Sequence, residues 1–448
     1  MCDSVTDGCS GYQRLTRRRL LQSTTGLAAG AWLTQFAERL AQAADSKRSS
    51  QRPKSLLMLW LQGGPSQLET FDPHPGTSIG GDAKGLSTSI TGTQISDLMP
   101  ATAQQMHHAC LVRSMISKEG DHERATYHLK TGWRPDPTLV HPSIGSIICR
   151  QSKDNIEIPR HISIIPGQWP SRGGYLGPSF DAFQIGDPAQ PIPNLTARVN
   201  EEQLQDRLGP LLDVMETEFQ RGRLANLDEK RTLHRAATKQ AVTMMNSDQL
   251  TAFDVQAESQ TTRDRFGDSP FGRGCLAGIR LLSAGVRCVE VELSGWDSHV
   301  NNHELQSNKA KVLDLALAAT MEELAERDLL DDTVVFCGGE FGRTPKINPA
   351  GGRDHWPHGF SILLAGGSFR RGYVHGETAA NPDPQLLSGS GENKFDPERV
   401  TKNTVTVPDL HATLLHALGI DHELDRITPI GRPLRWSDGN IVPALLQA

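Results

Sequence analysis

Five short apolar runs, each closed by glycine or a polar turn, constrain the fold of this chain more than any other feature. They span residues 55–61, 109–115, 286–293, 333–336 and 361–365. A strand that is apolar on both faces must be covered on both faces. That pattern belongs to a mostly parallel sheet with helices on either side, not to an antiparallel sheet with one wet face. Helix-prone sequence separates the runs. A helix is expected over 95–108, two long polar helices within 201–260, and others over 271–284 and 407–418. The last is opened by Pro408 and Asp409 near its first turn. Leu313, Leu317, Met321 and Leu324 recur at helical spacing and form one core-facing stripe. Residues 160–166 read as a short strand, followed by a Pro/Gly-rich surface loop to 193; 376–403 read as a second long loop.

The N-terminus addresses the chain for export. Thr16-Arg17-Arg18-Arg19-Leu20-Leu21-Gln22 is a twin-arginine motif, followed by a mild apolar stretch over 23–36 and a small-residue cleavage site at Ala41-Gln42-Ala43. This apolar core is too short and too rich in Gly, Ala and Thr to span a membrane. The expected organisation is a signal peptide over 1–43, a polar linker over 44–54 and a single α/β domain over 55–448. The expected location is the periplasm or cell envelope, with no membrane span in the mature chain.

Residues 1–43 carry five Arg and three acidic residues, so removing that net charge of +2 takes the chain from −6 to −8. A mildly acidic chain without basic runs offers no electrostatic footprint for nucleic acid. Outside the signal stand Cys110, Cys149, Cys275, Cys288 and Cys337, odd in number and with no CxxC pair. Neither a zinc ribbon nor a disulfide framework is indicated. Cys110, Cys288 and Cys337 lie in or beside strands and read as small buried hydrophobes.

Four polar clusters each follow an apolar strand, so a parallel sheet would carry them to one edge, where α/β proteins build sites. After the first strand come Ser66, Glu69 and Asp72 behind Gly63-Gly64-Pro65; the glycines let backbone N–H groups approach an anion, and the carboxylates could hold a cation. After the second come Asp121, His122, Glu123 and Arg124. After the strand ending at 293 come Asp297 and His299, which point the same way in extended chain and pair a carboxylate with an imidazole, as zinc, manganese or iron would require. The fourth cluster is Glu340, Arg343, Asp354, His355 and His358, set between two buried strands. A solvated helix start explains the second cluster nearly as well, and an Asp–His hydrogen bond would explain the third.

The segments LQGGPSQLETFDP, RSMISKEGDHERATYHLKTG, HPSIGSII, AGVRCVEVELSGWDSHVNNH, DDTVVFCGGEFGRTPKIN, GGRDHWPHGFSILLAGG and PDLHATLLHALGI occur in this order. Over residues 55–443 the chain resembles the exported bacterial domain-of-unknown-function family numbered 1501. That family is grouped with the alkaline-phosphatase/sulfatase superfamily. The resemblance implies an alkaline-phosphatase-like α/β fold and cleavage of a phosphate or sulfate ester at one or two divalent metal ions (zinc, calcium, magnesium or manganese). It places Asp297, His299, Glu340 and His355 as metal ligands. Glu340 and Phe341 stand where the superfamily has Asp and His, and Gln62-Gly63-Gly64 stands where paired aspartates are expected. The slot of the sulfatase nucleophile holds neither Cys nor Pro; Ser117 and Thr126 are the nearest hydroxyls, which disfavours a formylglycine-type sulfatase.

The expected function is therefore metal-dependent hydrolysis of a small anionic ester or of a sulfated or phosphorylated polymer. Arg343 would stabilise developing oxyanion charge with Arg124 beside it, and His122 or His358 would give the leaving group its proton. Ser66, Glu69, Asp121 and Asp354 would contact the substrate. The alternative is a degenerate site on a binding or assembly protein of the envelope.

Overall fold

The computed structural model describes residues 54–152, 156–193, 195, 199–221, 233–379 and 401–447. The arginine motif, the cleavage site and all but one residue of the linker lie outside these, as does most of the 376–403 loop. The strands of the central sheet are β1 (Ser55–Trp60), β2 (Ala109–Ile116), β3 (His161–Ile164), β4 (Phe183–Ile185), β5 (Cys288–Glu292), β6 (Thr333–Gly338), β7 (Phe360–Ala365), β8 (Tyr373–His375) and β9 (Val405–Thr406). Their order is β8-β2-β7-β6-β1-β5-β3-β4, with β9 also beside β2. β7 runs against both β6 and β2; every other pairing in the sheet is parallel. The expected mostly parallel sheet is present, and β1, β2, β5 and β6 all point their carboxyl ends to one edge.

The helices that cover it are α1 (His122–Thr131), α2 (Ile144–Gln151), α3 (Pro270–Ser283), α4 (Asn302–Glu326) and α5 (Val407–Ala417). Alternation along β1 sorts the core into two layers. Leu57, Leu59 and Leu61 pack with the apolar faces of α3 and α4, including Leu313, Leu317, Met321 and Leu324. Leu56, Met58 and Trp60 pack on the other face with Leu129 of α1, Ile144 and Ile147 of α2, and Leu410 and Leu414 of α5. Helices on both faces explain why the strands read as unbroken apolar runs.

The expected helix over 95–108 is a composite. Gln94–Ser96 pairs with Gly85–Ser87 as a small ladder, a short helix covers Pro100–Gln105, and a 3-10 turn follows over Met106–His108. Pro100 sits in the first turn of that helix, where its fixed φ and missing N–H are harmless, and so sets its start. The polar 201–260 stretch holds two long helices, Glu201–Arg221 and Leu233–Met245. All five cysteines of the described residues are buried and free. Among the described residues, no helix is long and apolar enough to cross a membrane.

Candidate metal centre at the carboxyl edge of the sheet

Asp297 lies five residues past β5, Glu340 two past β6, and His122 opens α1 after β2. His355 belongs to a two-residue strand that pairs with Gly342–Arg343 and so folds back over the same edge. The approach of these loops depends on glycine. Gly63 has φ +115°, and a Cβ there would lie 2.6 Å from the Asp297 amide nitrogen.

Three imidazoles converge on the Asp297 carboxylate. His122 Nε2 lies 3.4 Å from Oδ2, while His299 Nε2 and His355 Nε2 lie 3.2 and 3.5 Å from Oδ1. The last two ring nitrogens are 3.0 Å apart. Ligand atoms held about 2.1 Å from a tetrahedral zinc are roughly 3.4 Å from one another; His122, Asp297 and His355 offer ligand atoms that all lie within 4.8 Å of one another, with His299 beside Asp297 and His355. Each ring is tied at its other nitrogen: His122 Nδ1 to Glu340 Oε1 at 2.6 Å, His299 Nδ1 to Asp354 Oδ1 at 2.8 Å, His355 Nδ1 to the Gly120 carbonyl at 2.8 Å. Metal-bound histidines are oriented in this way.

Electrostatics favour a cation. Glu340, Asp297 and Asp354 surround the cluster, with Arg343 bonded to Asp297 at 2.6 Å. Glu340 is fully buried and its Oε2 has no hydrogen-bond partner, nor does His122 Nε2. Burial opposes protonation of His122, but the bond to Glu340 and the charges of Glu340 and Asp297 outweigh it and raise its proton affinity. Burial works against the Asp297 carboxylate, yet the Arg343 bond and charge hold its pKa below the ordinary value. For His355 burial dominates and lowers the pKa.

The structure brings together Asp297, His299, His355, Asp354 and His122. His122, expected as a proton donor, turns its Nε2 toward Asp297 at 3.4 Å. Glu340, expected as a ligand, accepts the bond from the other nitrogen of that ring. Arg343 is fully buried and gives four N–H bonds, to the carbonyls of Gly63, Gly64 and Arg353 and to Asp297. These bonds tie the loop and Asp297 in place, in contrast to the oxyanion role expected of it. Arg124 turns away to make a bidentate pair with Glu119, at 2.7 and 3.0 Å. Asp121 caps α1 by accepting from the Arg124 amide. Ser66 and Glu69 bond each other inside the protein, and Glu69 pairs with buried Arg353 at 3.1 Å; burial removes both from any substrate. His358 packs edge-on against Trp356, ring centroids 5.1 Å apart, outside the cluster.

Reading the sequence segment by segment missed the seam beneath α1. His122, Thr126 and Lys130 recur at i, i+4 and i+8 and meet Glu340, Gln62 and Glu290 on the sheet. Helical spacing set against strand-end polar residues is the signal that could have found it.

No curated protein matches the chain by sequence. Among solved structures, it is similar to an alkaline phosphatase superfamily protein from Vibrio parahaemolyticus at 13% identity, covering 82% of this chain and 67% of that one with a TM-score of 0.35. It is also similar to the PsFucS1 sulfatase from Pseudoalteromonas sp. at 12% identity, with 85% and 70% covered and a TM-score of 0.38. A third likeness is the zinc complex of the C-terminal periplasmic domain of EcEptC from Escherichia coli, at 10% identity, with 71% and 74% covered and a TM-score of 0.35. A family model matches residues 53–446, nearly the whole described chain, and the protein belongs to the family described as protein of unknown function DUF1501.

Proposed function

We propose that the cluster is a mononuclear divalent-metal centre and that the protein, exported to the cell envelope, hydrolyses a sulfate or phosphate ester there. The convergence of three oriented imidazoles on Asp297 carries this reading. His122, Asp297, His299 and His355 would hold the ion. Imidazole with carboxylate suits zinc or manganese, while calcium and magnesium prefer oxygen-only sets. The ion would supply Lewis-acid charge at the ester oxygen and acidify a water.

The chain's own residues set what the reaction can be. Ser66 is bonded to Glu69, Thr126 to Gln62 and Ser117 to His128, all of them buried. These hydroxyls are committed to the scaffold, which favours direct displacement by water over a covalent intermediate. Asp297 and His299 are each 46% exposed and face the solvent side, where an anionic ester would arrive. Asp354 orients His299, and Arg343 keeps Asp297 ionised.

The test is zinc- or manganese-loaded protein assayed on aryl sulfates and aryl phosphates, with and without chelator. Turnover that disappears on chelation supports hydrolysis. The committed hydroxyls also favour a second reading, a metal-holding binding protein; bound metal with no turnover on either ester class would favour it.

A further inference from the structure

His122 is useful as a ligand only if its Nε2 carries the lone pair, and the structure holds a device that sets this. Trp60 Nε1 lies 2.7 Å from Gln62 Oε1. An indole N–H can only donate, so the Gln62 atom facing Trp60 must be oxygen. Thr126 Oγ1 adds a second donor to the same oxygen at 3.3 Å. Gln62 therefore turns its NH2 toward Glu340 Oε1, 2.9 Å away, and the Gly63 backbone N–H reaches that oxygen at 2.9 Å as well. Two groups that can only donate there make Glu340 Oε1 an acceptor. His122 Nδ1, at 2.6 Å from it, must then be the donor.

We infer that Trp60 and Gln62 are positioning residues that fix His122 as its Nδ1–H tautomer, leaving the Nε2 lone pair on the Asp297 side. Donation runs one way, from Trp60 through Gln62 to Glu340, and meets His122 there. With Glu340 as a carboxylate, which can only accept, the direction follows from atom types that cannot reverse. Trp60 is fully buried on β1 and Glu340 is fully buried past β6, so the two ends of the donor chain are shielded from water. The consequence for metal binding rests on the proposed centre; the tautomer itself does not.

The experiment reads the 15N shifts of His122 in metal-free, histidine-labelled protein, above the pH at which the same spectra show the ring to have lost its second proton, alongside zinc affinity by calorimetry. Wild type is expected to show Nδ1–H alone. Glu340→Gln is expected to keep that tautomer, because the donors from Gln62 and Gly63 force its amide oxygen toward His122. Gln62→Met removes one of the two N–H donors that hold Glu340 Oε1 in place, while the Gly63 N–H remains. It is expected to keep Nδ1–H but shift the His122 15N signals, with a roughly 10- to 100-fold loss of zinc affinity, the usual size of an outer-shell defect. A merely structural Gln62 would lower stability and leave the His122 shifts alone. An Nε2–H tautomer in wild type or in Glu340→Gln overturns the inference. So does a Gln62→Met protein with unchanged shifts and affinity; if that variant does not fold, Glu340→Gln decides. Wild type with Nδ1–H and no zinc binding would keep the donor chain and discard the metal reading.

Discussion

His122 and Glu340, 218 positions apart in sequence, meet at 2.6 Å between the first turn of α1 and the loop past β6. That contact ties the helix to the sheet and aims the other ring nitrogen of His122 at Asp297. It also sets His122 apart from His358, which lies outside the cluster. His122→Ala should remove measurable zinc binding, whereas His358→Ala, which alters a ring packed on Trp356, should bind zinc as the wild type does. Calorimetric titration of both variants checks the difference.

Arg343 contributes shape more than charge. Its planar fork serves three carbonyls and one carboxylate, and a lysine ammonium cannot reproduce that geometry. Arg343→Lys leaves buried carbonyls without donors, each worth about 1–3 kcal/mol. Urea unfolding should show a loss of about 3 kcal/mol, accompanied by weaker metal binding. A variant with native stability would show that the carbonyls find other partners.

The buried pair of Glu69 and Arg353 holds the loop that follows β1. Removing one member of a buried pair strands the other, at a cost of about 3–5 kcal/mol. Glu69→Ala is expected to lose stability on that scale while its folded fraction still binds zinc. Loss of zinc affinity without loss of stability would return Glu69 to the site.

Much of this was legible from periodicity. Apolar runs gave the strands because a two-sided burial leaves no alternation to misread, and the Leu313–Leu324 stripe gave α4. The common edge followed from strand direction. The internal assignment did not follow, because it depends on which way side chains turn once segments meet. Arg124 and Asp121 carry the right chemistry, yet one turns to Glu119 and the other caps α1. Ser66 and Glu69 read as substrate contacts, and their burial beside Arg353 is invisible in sequence. Gln62 read as a missing aspartate, whereas in three dimensions its amide supports Glu340.

Acid should destabilise the fold through two histidines outside the centre. His128 and His411 are buried, and burial depresses both pKa values to about 4; for His128 the nearby His411 adds to the shift. Both are neutral in the folded state and titrate normally, near 6.5, when unfolded. Their contribution is complete above that value and is lost as pH falls toward 4, at up to about 1.4 kcal/mol per pH unit for each group. Unfolding free energy measured across this window should fall steeply, and the double variant His128→Gln/His411→Gln should flatten the slope. An unchanged slope would place the acid sensitivity elsewhere.

The most direct test of the metal centre is the metal content of purified protein after equilibration with zinc and removal of excess, compared between wild type and Asp297→Ala. One ion per chain in the wild type and none in the variant is the expected result. A wild type without bound metal, or a variant that keeps it, would contradict the account.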